Sequence, residues 1–254
     1  NGVARLTLND EVTRNSLSET MMLSLEEALH DCAADKSIGA IVIASTGKVF
    51  SSGHNLKELT SHRSDADKGA GYFGKTFELC ARLMMAIGHH RCAIIAEVDG
   101  LASAAGCQLV ATCDLAYAST HAGFCTPGVN IGLFCSTPMV PLSRNLNSKH
   151  AMEMLLLGGV HDATFAERVG LVNAVVAPEA LTAHVTLVAE KIAAKSRAAV
   201  RFGKRAFYDQ ASIGLSDAYA LAAAVMTKNM LDEAACEGLD AFIAKRHPHW
   251  PDLQ

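Results

Sequence analysis

The run from residue 92 to residue 114 constrains the fold more than any other part of the chain. Residues 92–98, Cys-Ala-Ile-Ile-Ala-Glu-Val, form an apolar stretch of strand length. Gly100, Ala102, Ser103, Ala104, Ala105 and Gly106 follow, and residues this small let a backbone turn sharply and approach something closely. Residues 108–113, Gln-Leu-Val-Ala-Thr-Cys, then have helical spacing. A buried strand therefore passes through a small-residue turn into a helix. The first amides of such a helix face a space clear of side chains. They favour negative charge through unpaired N–H groups and the macrodipole together, an arrangement suited to a developing oxyanion.

Strands and helices alternate on both sides of this run. Residues 3–8 read as a strand. Ser16 and Glu19 have capping-box spacing ahead of a helix with Met22, Leu25, Leu29 and Cys32 on one face. Residues 38–44 read as a second buried strand, and 49–59 as a short strand, a Gly turn and a helical start. Residues 61–74 are polar and Gly-containing with little periodicity, which predicts a mobile loop beside a ligand. Phe77, Cys80, Leu83, Met84 and Ile87 recur at helical intervals, and 115–119 and 123–126 are short strands. This order implies βαβ crossovers and a largely parallel sheet, an α/β fold. Beyond Pro138 the pattern is helical, with runs starting near Lys149, Ala163, Pro178, Arg197, Leu215 and Glu233, interrupted by strand-like 171–176. The expected organisation is a core over 1–195 and a helical C-terminal region over 196–254.

Composition narrows the function classes. Of 254 residues, 50% are hydrophobic, enough for one large core. A net charge of −4 without a basic block argues against a nucleic-acid surface. No apolar run reaches 18 residues, so no membrane span is expected. Eight Cys without a CxxC pair predict reduced thiols in a cytoplasmic or mitochondrial-matrix compartment rather than a secreted protein. His89, His90, His121, His161, His247 and His249 lack metal-ligand spacing, and no metal is predicted.

Five segments, in order, carry a resemblance. Residues 9–18, Asn-Asp-Glu-Val-Thr-Arg-Asn-Ser-Leu-Ser, resemble an "RP…NALS" opening. Residues 50–59, Phe-Ser-Ser-Gly-His-Asn-Leu-Lys-Glu-Leu, resemble "FSAGxDLKEL". Residues 98–114 resemble "VNGxAxGGGxELxxxCD", 162–176 resemble "xAxEAxxxGLVxxVV", and 237–246 resemble "EGxxAFxxKR". These are patterns of the crotonase superfamily, the enoyl-CoA hydratases and isomerases, and the resemblance spans essentially the whole chain. It implies a spiral of ββα repeats, with C-terminal helices that build a homotrimer or a dimer of trimers. It implies an acyl-CoA thioester as substrate, with no separate cofactor. By motif position, the amides of His54 and Ala105 would hold the thioester oxygen. Ser16, Leu17, Ser52, His54, Asn55, Leu56, Lys57 and Gly106 would follow the CoA. Phe242 and Lys245 match positions that reach its adenine and phosphates, often across a subunit boundary.

The chain departs from the pattern where a hydratase of this superfamily carries two Glu residues. Gln108 and Gly128 stand there. General acid–base catalysis contributes about 10²–10⁴-fold per group, so ordinary hydration should be weak. A further acidic position falls near Ser136, also not acidic. His54 remains in reach, as a base, as a carboxylate binder in a malonyl-type decarboxylation, or as a packed imidazole. Asn55 fills a helix-capping position. Asn130, Ser136 and Thr137 are candidates for the pocket lining, and Cys107 and Cys135 are expected near it. An inactive acyl-CoA-binding regulator is the alternative of a different class.

Overall fold

One ββα unit recurs along the chain and places a strand in each of two sheets; the computed structural model describes residues 1–253. β1 (Val3–Leu8) leads into α1 (Glu19–Ala34). β2 (Ala40–Ser45) and β3 (Val49–Ser51) precede α2 (Leu56–Ser61) and α3 (Ala70–His89). β4 (Ala93–Val98) and β5 (Leu101–Ser103) precede α4 (Ala105–Thr112). β6 (Leu115–Ser119) and β7 (Gly123–Cys125) precede a 3₁₀ turn (Pro127–Ile131) and α5 (Ser136–Asn145). Then come α6 (Ser148–Leu157), β8 (His161–Asp162), α7 (Ala163–Val169), β9 (Ala174–Val176) and α8 (Pro178–Ala193). The chain closes with α9 (Arg197–Gln210), α10 (Leu215–Met230) and α11 (Glu233–Ile243). The first sheet has the order β1-β2-β4-β6-β9 and is parallel throughout. The second has the order β3-β5-β7-β8, parallel except for β8. The α/β spiral of ββα repeats is thus present, followed by helices.

The strands of the first sheet read as unbroken apolar runs because both faces are covered. Ile41, Ile43 and Ile94 pack with Leu25 and Leu29 of α1 and Leu83 and Ile87 of α3. Val42 and Ile95 point the other way, onto Leu181, Val185 and Ala189 of α8. Burial of each such side chain stabilises the fold by about 1.5–3 kcal/mol. α9 is tied to the core by Lys204, while α10 has no buried residue and exposes Leu215, Tyr219 and Met226.

Two local expectations need correction. Ser18, not Ser16, caps α1, its Oγ accepting from Met21 N, and Glu19 is already the first helical residue. Residues 61–74 are not an irregular loop. They hold the end of α2, a 3₁₀ turn (His62–Ser64) and the start of α3 at Ala70. The Asp67 carboxylate accepts from Gly69 N and Gly71 N, and His62 stacks on Tyr72 at 3.7 Å. Such locally capped turns need no hydrophobic period, which is why the sequence pattern fades there.

All eight Cys are free thiols, and burial pushes the Cys80 thiol up to about 12. Among the described residues no helix is long and apolar enough to cross a membrane, and no group of metal-ligating side chains is assembled.

Candidate active site

The site lies at the carboxyl edge of the second sheet, where crevices of parallel sheets commonly bind ligands. β3, β5 and β7 are parallel neighbours, with Ser51 beside Ala102 and Ser103 beside Cys125. Their ends run into Ser52, Gly53 and His54, into Ala104 and Ala105, and into Thr126. Gly53 has φ +86°, and a Cβ there would stand 2.9 Å from Ser103 O and 3.2 Å from Ala105 N. The peptide entering His54 is therefore in backbone contact with the start of α4. Gly106 seals the same contact, since a Cβ on it would stand 2.4 Å from Ser51 O.

Ala104 takes φ 49° and ψ −115°, a strained conformation for a residue with a side chain. Its N–H donates to Cys125 O at 2.9 Å and its carbonyl accepts from Gln108 N at 3.0 Å, so strand and helix both hold it in place. Such strain costs about 1–3 kcal/mol and concentrates at functional sites. It turns the chain abruptly from β5 into α4, which has no side-chain cap. Among the described residues, neither His54 N nor Ala105 N donates to a protein acceptor. Two free amides beside one another, at a helix start, can hold a single negatively charged oxygen.

His54 is anchored from the opposite side. Leu17 N donates to Gly53 O at 2.8 Å, and the His54 ring bonds Leu17 O through Nδ1 at 3.2 Å. A carbonyl only accepts, so Nδ1 carries the hydrogen. Burial pushes the imidazole below its ordinary range, so the ring is neutral near pH 7 and Nε2 is a bare acceptor. Nε2 is buried and has no partner, and Phe77 of α3 meets the ring edge-on at 5.5 Å.

The other candidate residues divide into those that frame this corner and those that do not. Ser52 Oγ donates to Thr13 O, and Ser16 Oγ donates to Thr13 Oγ1, which ties the segment before α1 to the turn after β3. Asn55 caps α2, accepting from Lys57 N and Glu58 N, while Leu56 and Lys57 are exposed on its first turn. Gln108 is buried in α4 with the Cys80 thiol 3.9 Å from Oε1. Asn130 is committed elsewhere, its amide donating to Gly158 O at 3.1 Å. Ser136 is exposed at the start of α5, its Oγ near Phe134 O. Phe242 is 83% exposed at the end of α11, and Lys245 is exposed just beyond. α11 packs on α9, α10 and the segment 251–253, so within one chain neither is carried to the β3–β5 corner. Sequence reading placed Phe77 only on the apolar face of a helix and did not single out Thr126, because nothing in the local pattern ties either to the site.

A model of the Enoyl-CoA hydratase/isomerase family matches residues 1–253. The chain belongs to that family. It is 45% identical over 249 residues to the mitochondrial enoyl-CoA hydratase domain-containing protein 3 of Rattus norvegicus, covering 98% of this chain and 81% of that protein. A solved structure of an enoyl-CoA hydratase from Mycobacterium smegmatis superposes with a TM-score of 0.92 at 47% identity, over 98% and 95% of the two chains. The human enoyl-CoA hydratase domain-containing protein 3 superposes with a TM-score of 0.93 at 42% identity, over 98% and 96%.

Within this enoyl-CoA hydratase/isomerase family member, the two positions at which the resemblance leads one to expect Glu differ in kind. Gln108 keeps a side chain of Glu size. Gly128 is tightly packed: a Cβ would stand 3.0 Å from Leu133 O and 3.0 Å from Cys135 Sγ, so these neighbours must give way for a side chain to fit. Leu133 N donates back to Gly128 O at 2.9 Å, which folds 133–135 against the glycine. The Cys135 thiol beside it is pushed up by burial and is poorly suited to take a proton.

Proposed function

We propose that this family member binds an acyl-CoA thioester and stabilises an enolate-type oxyanion with the amides of His54 and Ala105. The observation that carries the reading is the backbone contact between Gly53 and Ala105, with two unpaired amides at it. One preorganised donor of this kind is typically worth about 3–4 kcal/mol in the transition state. The thioester carbonyl sits between the amides, Gln108 orients without exchanging protons, and no carboxylate serves the β-carbon. Hydration of a simple enoyl-CoA is then slow, and the chemistry is either a non-standard proton transfer or binding alone. Loss of CO2 from a malonyl-type thioester needs no general base, but the bare Nε2 of His54 does not attract a carboxylate. The exposed apolar faces of α10 and α11 support assembly through the C-terminal helices, as a homotrimer or a dimer of trimers. By analogy with the mitochondrial relative of Rattus norvegicus, the compartment is mitochondrial; a bacterial cytoplasm is the other one that suits eight free thiols.

The test is a panel of acyl-CoA thioesters, with crotonyl-CoA and methylmalonyl-CoA included, assayed for binding and turnover. Saturable thioester binding with crotonyl-CoA hydration at least 10²-fold below an ordinary hydratase is expected, from about 10²–10⁴-fold per lost group. The double variant Gln108→Glu, Gly128→Glu is expected to lose thermal stability, because residues 133–135 must shift to admit a side chain at 128. Fast hydration by the unmodified protein contradicts the reading; hydration gained by the double variant supports it, since the missing carboxylates are then what limits the site.

A further inference from the structure

One face of α3 touches the candidate site at two points. Phe77 meets the His54 ring edge-on at 5.5 Å, and Cys80, one turn further on, directs its thiol to Gln108 Oε1 at 3.9 Å. A helical turn rises about 5.4 Å, so the two contacts are neighbours along the helix. Cys80 is fully buried, and the burial that pushes its thiol up to about 12 keeps it protonated at neutral pH. Gln108 stands one turn after Ala105 in α4. Helical side chains lean back over the turn before their own Cα, so the Gln108 amide lies towards the Ala105 N–H. Among the described residues nothing accepts a hydrogen bond from Gln108 Nε2, yet, unlike His54 Nε2, that nitrogen is not sealed from open space. One end of the Gln108 amide is thus occupied by α3, and the other is left for whatever enters.

We propose that Cys80 is a positioning residue, which turns the donor end of Gln108 towards the bound thioester. This rests on the thioester reading above and adds to it a residue that touches no substrate. The chemistry of the pair fixes the sense of the amide. A protonated thiol has one hydrogen to give and a sulfur that accepts only weakly, so it pairs with the carbonyl end of Gln rather than with its NH2. Oε1 is spent on Cys80, and Nε2 presents its hydrogens to the site. A donor there acts in the same sense as the amides of His54 and Ala105, on a charge that develops as the thioester reacts. The reversed amide would set oxygen lone pairs against that charge. A free Gln side chain samples several rotamers, and the thiol removes that freedom before the ligand arrives, which lowers the cost of binding. Where the resemblance leads one to expect an acid–base group, this chain holds a fixed dipole.

Titration calorimetry of butyryl-CoA with the unmodified protein, Cys80→Ala, Gln108→Met and the double variant separates this role from a structural one. Gln108→Met keeps a side chain of similar size and removes both polar ends. The loss of one oriented hydrogen bond is expected to weaken binding about 3- to 10-fold in each single variant. Because Cys80 acts through Gln108, Cys80→Ala is expected to cost no further affinity in the Gln108→Met background, whereas a packing role would repeat its full effect there. Infrared spectra of the S–H stretch read the contact with Cys80 in place, and the Cys80 band is expected to move to higher frequency in Gln108→Met. Affinity unchanged in Cys80→Ala, an equal loss in both backgrounds, or an S–H band indifferent to Gln108→Met overturns the proposal. The infrared result decides alone if Cys80→Ala does not fold. An unmodified protein that fails to bind butyryl-CoA overturns the thioester reading itself, and this inference with it.

Discussion

Gly106→Ala will destabilise the protein by about 1–3 kcal/mol and slow any thioester turnover by about 10²-fold. The sign is informative, because Gly106 is the second residue of α4 and Ala is favoured over Gly in a helix by about 1 kcal/mol. Helix propensity alone therefore predicts a gain. The loss is expected because the new Cβ would stand 2.4 Å from Ser51 O and 2.7 Å from Ser51 Cβ. Relief requires β3 to withdraw from α4 by about 1 Å, since ordinary carbon contacts lie at about 3.5–4.0 Å. Ser51 is three residues before His54, so withdrawal separates the two amides that are to share an oxygen. A displacement of about 1 Å at a positioning contact typically costs about 10²-fold in rate. Denaturant unfolding and thioester kinetics on the same variant check both parts. A stabilised protein with unchanged kinetics would mean that the close approach of Gly106 to β3 has no role.

Lys204→Met has the largest expected effect on stability, about 3–5 kcal/mol. The side chain is 7% exposed and its ammonium uses all three hydrogens, on Asp114 Oδ2 at 2.7 Å and on the carbonyls of Ile87 and Cys92 at 2.9 Å each. Asp114 in turn accepts from Ile94 N and from the Tyr208 hydroxyl. One cluster thus joins α9 to the end of α3, to β4 and to Asp114, the residue before β6. Removing the cation leaves a partly buried carboxylate short of its counter-charge and takes a donor from the carbonyls of Ile87 and Cys92, of which Ile87 O keeps His90 N. The double variant Lys204→Met, Asp114→Asn is expected to recover part of the loss, because the uncompensated charge is then gone. Chemical denaturation measures both. A loss below about 1 kcal/mol in the single variant would show the pair to be dispensable, as surface pairs are.

The same Asp114 shows what sequence conveys and what it does not. It closes the segment that resembles the family pattern, yet its partners Lys204 and Tyr208 lie about ninety residues on, beyond the reach of any local pattern. Element order was legible because buried strands and amphipathic helices carry distinct periods, and the starts of α6 to α11 fall close to where the apolar spacing places them. The strand–turn–helix at Ala104 was legible because only small residues tolerate that approach. Residues 61–74 misled because capping by Asp67 leaves no hydrophobic trace. Gly128 was visible as a missing carboxylate, but the packing of Cys135 into its place was not. Thr126 gave no signal at all, since a threonine after a strand is ordinary until its hydroxyl proves to be buried without a partner.

A crystal structure of the protein with a non-hydrolysable acyl-CoA thioester analogue tests the account most directly. The predicted result is a thioester oxygen about 2.7–3.1 Å from both His54 N and Ala105 N, with no Asp or Glu oxygen within reach of the α- and β-carbons. A carbonyl oxygen that meets neither amide, or a carboxylate pair closing on the acyl group from a neighbouring subunit, would contradict it.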